Sequence, residues 1–267
     1  MNDIRIIDTH CHLDFKELKT RLDEVIKDAK INNVTDMVTI STNLSRINVI
    51  KKISEQYKEV FFTVGVHPNE AHKDKQYNDY NFMINYSEHK KCVGVGEGGL
   101  DYFYNKDNME LQKRSLETQI NVARSTNLPM IIHSRDADND MIEILKSEYK
   151  NGAFKAILHC FSSGEELAYC GLDLDFFISF SGILTFNSAK KIQNIAKNIP
   201  LSKILVETDS PYLAPEPVRG SINEPKNCIH TAQFLSKLRN INFLELSETL
   251  YDNSLTIYNK IKLWKNK

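Results

Sequence analysis

What most limits the fold of this chain is a repeated alternation. Short apolar runs at residues 4–7, 37–40, 60–66, 92–95, 130–132, 156–158, 176–180 and 204–206 read as strands by their length and composition. Segments with helical periodicity separate most of them. Residues 16–32 carry Leu18, Leu22, Val25, Ile26 and Ala29 at three- and four-residue spacings, residues 44–57 read as a second helix, and Leu116, Ile120 and Ala123 mark the inner face of another. A final helix with Leu246, Leu250, Ile257 and Ile261 is expected to close the outer ring. About eight strands alternating with helices predict an α/β fold, a single (β/α)₈ TIM barrel over residues 1–267, with a doubly wound open sheet as the runner-up.

Composition agrees with one ordinary globular domain. The chain has 267 residues, 41% hydrophobic and 26% charged, with no Ser/Pro/Gly-rich linker and no sequence repeat to divide it. Net charge is −1, from 34 Lys plus Arg against 35 Asp plus Glu, so any nucleic acid must be gripped locally rather than drawn in by a global field. The five cysteines, Cys11, Cys92, Cys160, Cys170 and Cys228, contain no C-x-x-C pair, which fits a reducing cytoplasm better than a disulfide framework. No signal peptide or apolar run of about 18 residues is visible, so neither export nor a membrane is expected, and nothing points to an obligatory protein partner.

The polar residues that end the strand runs carry the chemistry. His10, His12, His67, Glu97, His133, His159 and Asp209 each lie at or just past a carboxyl end, and in a parallel barrel those ends converge on the catalytic face. By strand alternation Asp8, His10 and His12 would share one side. Singly, each histidine reads as well as a surface or hydrogen-bonded structural residue. Together, four histidines, a glutamate and an aspartate are a ligand set for two divalent ions, with His10, His12 and Asp209 on one, His133 and His159 on the other, and Glu97 as the bridge. Asp209 could also take a proton from water acidified at such a centre.

The same residues lie in a series of motifs that resembles the TatD-like metal-dependent hydrolases. Ile7-Asp8-Thr9-His10-Cys11-His12-Leu13 is similar to that family's opening, and Gly65-Val66-His67-Pro68 to its G-x-H-P. The match continues through Gly96-Glu97-Gly98-Gly99-Leu100-Asp101-Tyr102, Ile132-His133-Ser134-Arg135-Asp136-Ala137, His159-Cys160-Phe161-Ser162 and Phe180-Ser181-Gly182. It ends with the stretch from Glu207-Thr208-Asp209-Ser210-Pro211 to Pro215, then Arg219-Gly220 and Asn223-Glu224-Pro225. The resemblance implies a TIM-barrel deoxyribonuclease of the amidohydrolase superfamily, a 3′-to-5′ exonuclease favouring single-stranded DNA or strand ends. It implies Mg or Mn in the reaction, whereas imidazole-rich ligation also suits Zn, Fe or Ni. Two departures stand out: Gly98 replaces a usually apolar residue and would loosen Glu97, and Gly164 comes one place later than the usual glycine and would reshape the loop after His159.

Further roles follow from chemistry. His67 could donate to a phosphate oxygen or protonate the leaving 3′-oxygen, or simply cap the turn before Pro68. Arg135 and Arg219 could clamp a phosphate, although Arg135 could instead pair with Asp136 or Glu207. Tyr102, Tyr104 and Tyr212 are candidates for stacking on bases, while Phe103 is expected to pack. Glu207, and likewise Asp8, could orient a ligand histidine from behind. Cys11 and Cys160, next to ligands in sequence, should point away as buried filler, and the lysine-rich residues 260–267 should form a solvated helix face. Two rival functions remain: a hydrolase of an ester or amide such as aminoacyl-tRNA on the same barrel, and a metal-stabilised quality-control protein without turnover.

Overall fold

The computed structural model describes residues 4–73 and 79–266. Eight strands, β1 (Ile6–Cys11), β2 (Val34–Thr39), β3 (Val60–Val64), β4 (Cys92–Asp101), β5 (Met130–Arg135), β6 (Ala156–Leu158), β7 (Phe177–Phe180) and β8 (Ile204–Val206), form one parallel sheet in sequence order. The two edges meet just past β8. Cys11 bridges Ser210, the Asp209 N–H donates to His10 O at 2.9 Å, and the His12 N–H donates to Ser210 O at 2.8 Å. That is a (β/α)₈ barrel; a doubly wound sheet would reverse its strand order and keep two open edges.

Strand alternation divides the apolar residues into two layers. Ile7, Val38, Phe61, Val93, Ile131, Ile157, Phe177 and Leu205, one from each strand, belong to one buried cluster that fills the lumen. Residues of the opposite parity, such as Ile6, Met37, Phe62, Met130, Ile132 and Leu158, pack with the surrounding helices. The lumen cluster is closed below by Tyr251, Ile257, Tyr258 and Ile261. The carboxyl-terminal segment therefore differs from a single outer helix: Phe243–Ile257 sets Leu246 and Leu250 into the outer layer, while the break before Asn259–Lys265 lets Ile257 and Ile261 plug the barrel. Its lysines are not merely solvated either. Lys260 Nζ donates to Ser87 O at 2.7 Å and Lys265 Nζ pairs with Asp36 at 2.5 Å, beside the amino end of β2; Lys267 lies outside the described residues.

The other large departure is β4, which runs through the stretch 96–99 rather than stopping at Val95. Three glycines lie there, and their use is close approach. A Cβ on Gly99 would sit 2.8 Å from the His133 carbonyl carbon of the paired strand. At Gly98 the space a side chain would fill is taken by Gln119, whose Oε1 accepts the Val66 N–H at 3.0 Å and whose Nε2 donates to Val66 O at 2.9 Å. Gly98 makes room for an amide that ties Val66, just past β3, to the helix Met109–Thr126. Among the described residues no helix is long and apolar enough to cross a membrane.

Candidate metal centre

The carboxyl ends of the strands surround a cavity of about 640 Å³ lined by His12, His67, Glu97, Asp101, His133, Arg135, His159, Asp209 and Tyr212, among others. Glu97 sits at its floor, almost wholly buried, and its two oxygens face different partners. Oε1 lies 3.8 Å from His10 Nε2 and 3.7 Å from His12 Nε2, and the Asp209 Oδ1 lies 3.6 Å and 3.3 Å from the same two nitrogens. Oε2 lies 2.9 Å from His159 Nε2 and 3.6 Å from His133 Nδ1, which are themselves 3.2 Å apart.

These distances suit cations. Donors held at ~2.1 Å from one ion in tetrahedral geometry lie ~3.4 Å from each other. His10 supplies the test of fit: it is buried, stacked at 3.9 Å on His159, and neither of its ring nitrogens has a hydrogen-bond partner. An orphaned buried imidazole facing two carboxylates is costly unless a cation takes its lone pair. Burial, with His159 adding to it, holds His10 well below the usual histidine range and so in the neutral form that ligates. Burial alone would raise Glu97, but His67, His10 and His159 hold it well below the carboxylate range. Burial pulls His159 down, and the negative charges of Glu97 and Glu207 outweigh it, holding the ring well above the usual range. The donor set fits divalent metal.

Behind the donors stand acceptors that fix ring orientation. Glu207 Oε1 lies 3.2 Å from His159 Nδ1 and accepts the Cys160 N–H at 2.9 Å. Asp101 Oδ2 lies 3.5 Å from His133 Nε2 and accepts from Asn69 Nδ2 at 3.1 Å, while Oδ1 accepts the N–H groups of Phe103 and Tyr104. Asp101 and Asn69 escaped the sequence reading. The signal for Asp101 was parity, since it lies four residues beyond Glu97 in one strand; Asn69 has none.

Several expected site residues are elsewhere. Asp8 orients no histidine ring: a register shift between Asp8 and Cys11 interrupts the alternation, and its carboxyl accepts from the Thr208 N–H at 2.9 Å and the Thr208 hydroxyl at 2.6 Å. Tyr102 follows Asp101 and so points the other way, donating to Asp140 Oδ2 at 2.7 Å. Arg219 stacks on Phe186 at 3.7 Å and does not line the cavity. Arg135 does line it; the guanidinium lies 4.1 Å from the Phe103 ring and 4.6 Å from Tyr104, and pairs with neither Asp136 nor Glu207. Phe103, expected to pack, is 57% exposed because it serves as that platform. Tyr104 and Tyr212 line the mouth, with Tyr212 edge-on to Phe15 at 6.1 Å. His67 both faces the cavity and caps a turn: its Nδ1 accepts the Asn69 N–H at 3.1 Å, so the neutral ring carries its proton on Nε2. Burial lowers its pKa to about 4, which makes it a hydrogen-bond donor rather than a proton source at neutral pH. Cys160 donates to or accepts from Ser181 at 3.1 Å, and Cys11 donates to Val38 O, both away from the donors. Gly164 precedes the helix Glu165–Asp173, outside the metal cavity.

A sequence model of the family described as TatD related DNase matches residues 7–259. The chain is 36% identical to the metal-dependent hydrolase YabD of Bacillus subtilis, over 95% of this chain and 98% of that one. It is 34% identical to the metal-dependent hydrolase YcfH of Escherichia coli K12, covering 95% of each. Among solved structures, the TatD homologue YJJV of Escherichia coli superposes with a TM-score of 0.89 at 27% identity, over 96% of this chain and 98% of that one.

Proposed function

We propose that this chain, which belongs to the TatD related DNase family and is a metal-dependent hydrolase, cleaves the phosphodiester bonds of DNA as a 3′-to-5′ exonuclease on single strands, using two divalent cations. The observation that carries the reading is the split of Glu97 between two imidazole pairs, with a guanidinium, Arg135, that has no ion pair among the described residues on the wall of the same cavity. Cations held by these two sets of residues would suit the two oxygens, attacking and leaving, of a displacement at phosphorus.

His10, His12, Asp209 and Glu97 would hold one cation, and His133, His159 and Glu97 the other. When bound, these ions supply Lewis acidity and a nucleophile at neutral pH. The chain's own residues do the rest. Asp209, whose side chain is 15% exposed, is the ligand carboxylate nearest to solvent and takes the proton of the attacking water. His67 donates from Nε2 to a non-bridging phosphate oxygen, and Arg135 offers a fork to the same group. Tyr104 and Tyr212 offer ring faces to the terminal bases. The 3′-to-5′ direction rests on the family resemblance alone.

The test is a single-stranded DNA labelled at its 5′ end, incubated with Mg²⁺, Mn²⁺ or EDTA, comparing wild type with Glu97→Ala and Asp209→Asn. A metal-dependent ladder shortening from the 3′ end, lost in Glu97→Ala, is expected. Folded, metal-loaded protein that cleaves small esters or amides but no DNA would move the assignment to the other hydrolase class on this barrel.

A further inference from the structure

Beside the metal cavity lies a second, larger depression of about 990 Å³, and the two meet at Arg135, which lines both. Its walls come from the turn after β5, from Ser162 and Ser163 after β6, and from the first turn of the helix Lys190–Asn198. Neither the metal chemistry nor the fold accounts for it.

Its charges are unequal in what they are free to do. Of its acidic residues, Asp138 accepts the Gly164 N–H at 2.8 Å, and Asp140 accepts the Tyr102 hydroxyl and pairs with Lys113 at 2.8 Å. Only Asp136 remains exposed without such a partner among the described residues. Against it stand Arg135, Lys190 and Lys191, none of which forms an ion pair among the described residues; Lys190 reaches only Gln193 Oε1, at 3.3 Å. Ser134 lines the same wall, and its hydroxyl has no hydrogen-bond partner.

The two lysines also break a local rule. They open a helix that has no acidic residue in its first turn and no side-chain cap, so two cations sit at the positive end of the helix dipole. Helix stability disfavours that placement, and departures of this kind cluster where a ligand repays them.

We infer that this cleft carries the backbone phosphates of one polynucleotide strand whose scissile phosphate lies in the metal cavity, with Arg135 at the junction; the inference rests on the phosphodiesterase reading above. A volume at the upper end of ligand pockets, sharing Arg135 with the metal cavity, suits an extended chain rather than an isolated anion. Among the described residues Tyr102 is the one aromatic in its lining and its hydroxyl is already engaged, so the grip is on phosphate and indifferent to base identity.

Fluorescein-labelled phosphorothioate oligothymidylates of about two and about eight nucleotides, which keep their charge and resist hydrolysis, test it by anisotropy with the metal-loaded protein. Wild type should bind the longer strand more tightly. Lys190→Gln/Lys191→Gln should lose about tenfold of that increment, and its salt slope for the long strand should fall by about 1.4, for two phosphate contacts. Lys197→Gln, in the last turn of the same helix, should keep the increment. No length increment in wild type, or an increment unchanged in the double variant, overturns the cleft assignment. Metal-dependent shortening of a 5′-labelled phosphodiester oligothymidylate by wild type is scored separately. If it fails while the lysine-dependent increment holds, the phosphodiesterase reading falls and the binding cleft stands.

Discussion

Replacing Glu207 with glutamine separates an orienting role from a structural one. Glu207 is fully buried, lies 3.2 Å from His159 Nδ1 and accepts the Cys160 N–H at 2.9 Å. Glutamine can keep the second bond through its own oxygen but removes the charge behind the ring. Losing such a carboxylate partner costs about 10–100-fold in metal affinity, or about 1.4–2.7 kcal/mol. In saturating metal this should lower Tm by about 3–10 °C in a chain of this size. In EDTA the loss should be smaller, because burial already pushes the Glu207 carboxyl above its ordinary range and offsets part of what its charge gives His159. Calorimetry with and without metal reads both quantities, and chelator competition shows, for the proposed pair of ions, whether one is weakened or both. One is expected, since Glu207 touches the His133/His159 side and not His10 or His12. An equal Tm loss with metal and with EDTA would refute the reasoning and make Glu207 a packing residue.

Gly98→Leu should destabilise by at least about 2 kcal/mol in urea titration, combining overpacking with displacement of the amide that satisfies Val66. Adding Gln119→Ala should recover part of the loss, with a coupling of about 1 kcal/mol or more; simple additivity would show that the two do not share the space. Asp101 gives a pH signature. Burial would raise its carboxyl, but His133 and the Tyr104 N–H hold it down to about 2. Its contribution to stability is therefore present above the ordinary carboxylate range near 4 and is lost as pH falls from about 4 to about 2. In metal-free protein, the stability difference between wild type and Asp101→Asn should shrink as pH falls across that window, and shrink again as pH rises through the raised His133 range, where the ring loses the charge that Asp101 faces.

Much of the centre was legible because a parallel barrel brings the carboxyl ends of its strands together whatever lies between them. An apolar run ending in His133, His159 or Asp209 therefore announces where its last side chain goes. Neighbours that share no strand are a different matter. Whether Arg135 met a carboxylate or an aromatic pair, and whether Arg219 reached the cavity at all, depended on loops whose paths local sequence leaves open. Asp8 shows the limit inside a strand: alternation puts it with His10, and one register shift takes it to Thr208 instead.

By itself the sequence determined the alternation of eight strands with helices, the barrel they close and the imidazoles and carboxylates at its mouth, because periodicity and strand-end chemistry are local properties of the chain. The tertiary structure alone decided how Glu97 divides its oxygens between two imidazole pairs and why Gly98 is tolerated, through Gln119. It alone joined Arg135 to a cleft with Lys190 and Lys191. Each of these depends on atoms from segments far apart in the chain approaching within a few ångströms, a distance that packing sets and sequence spacing does not.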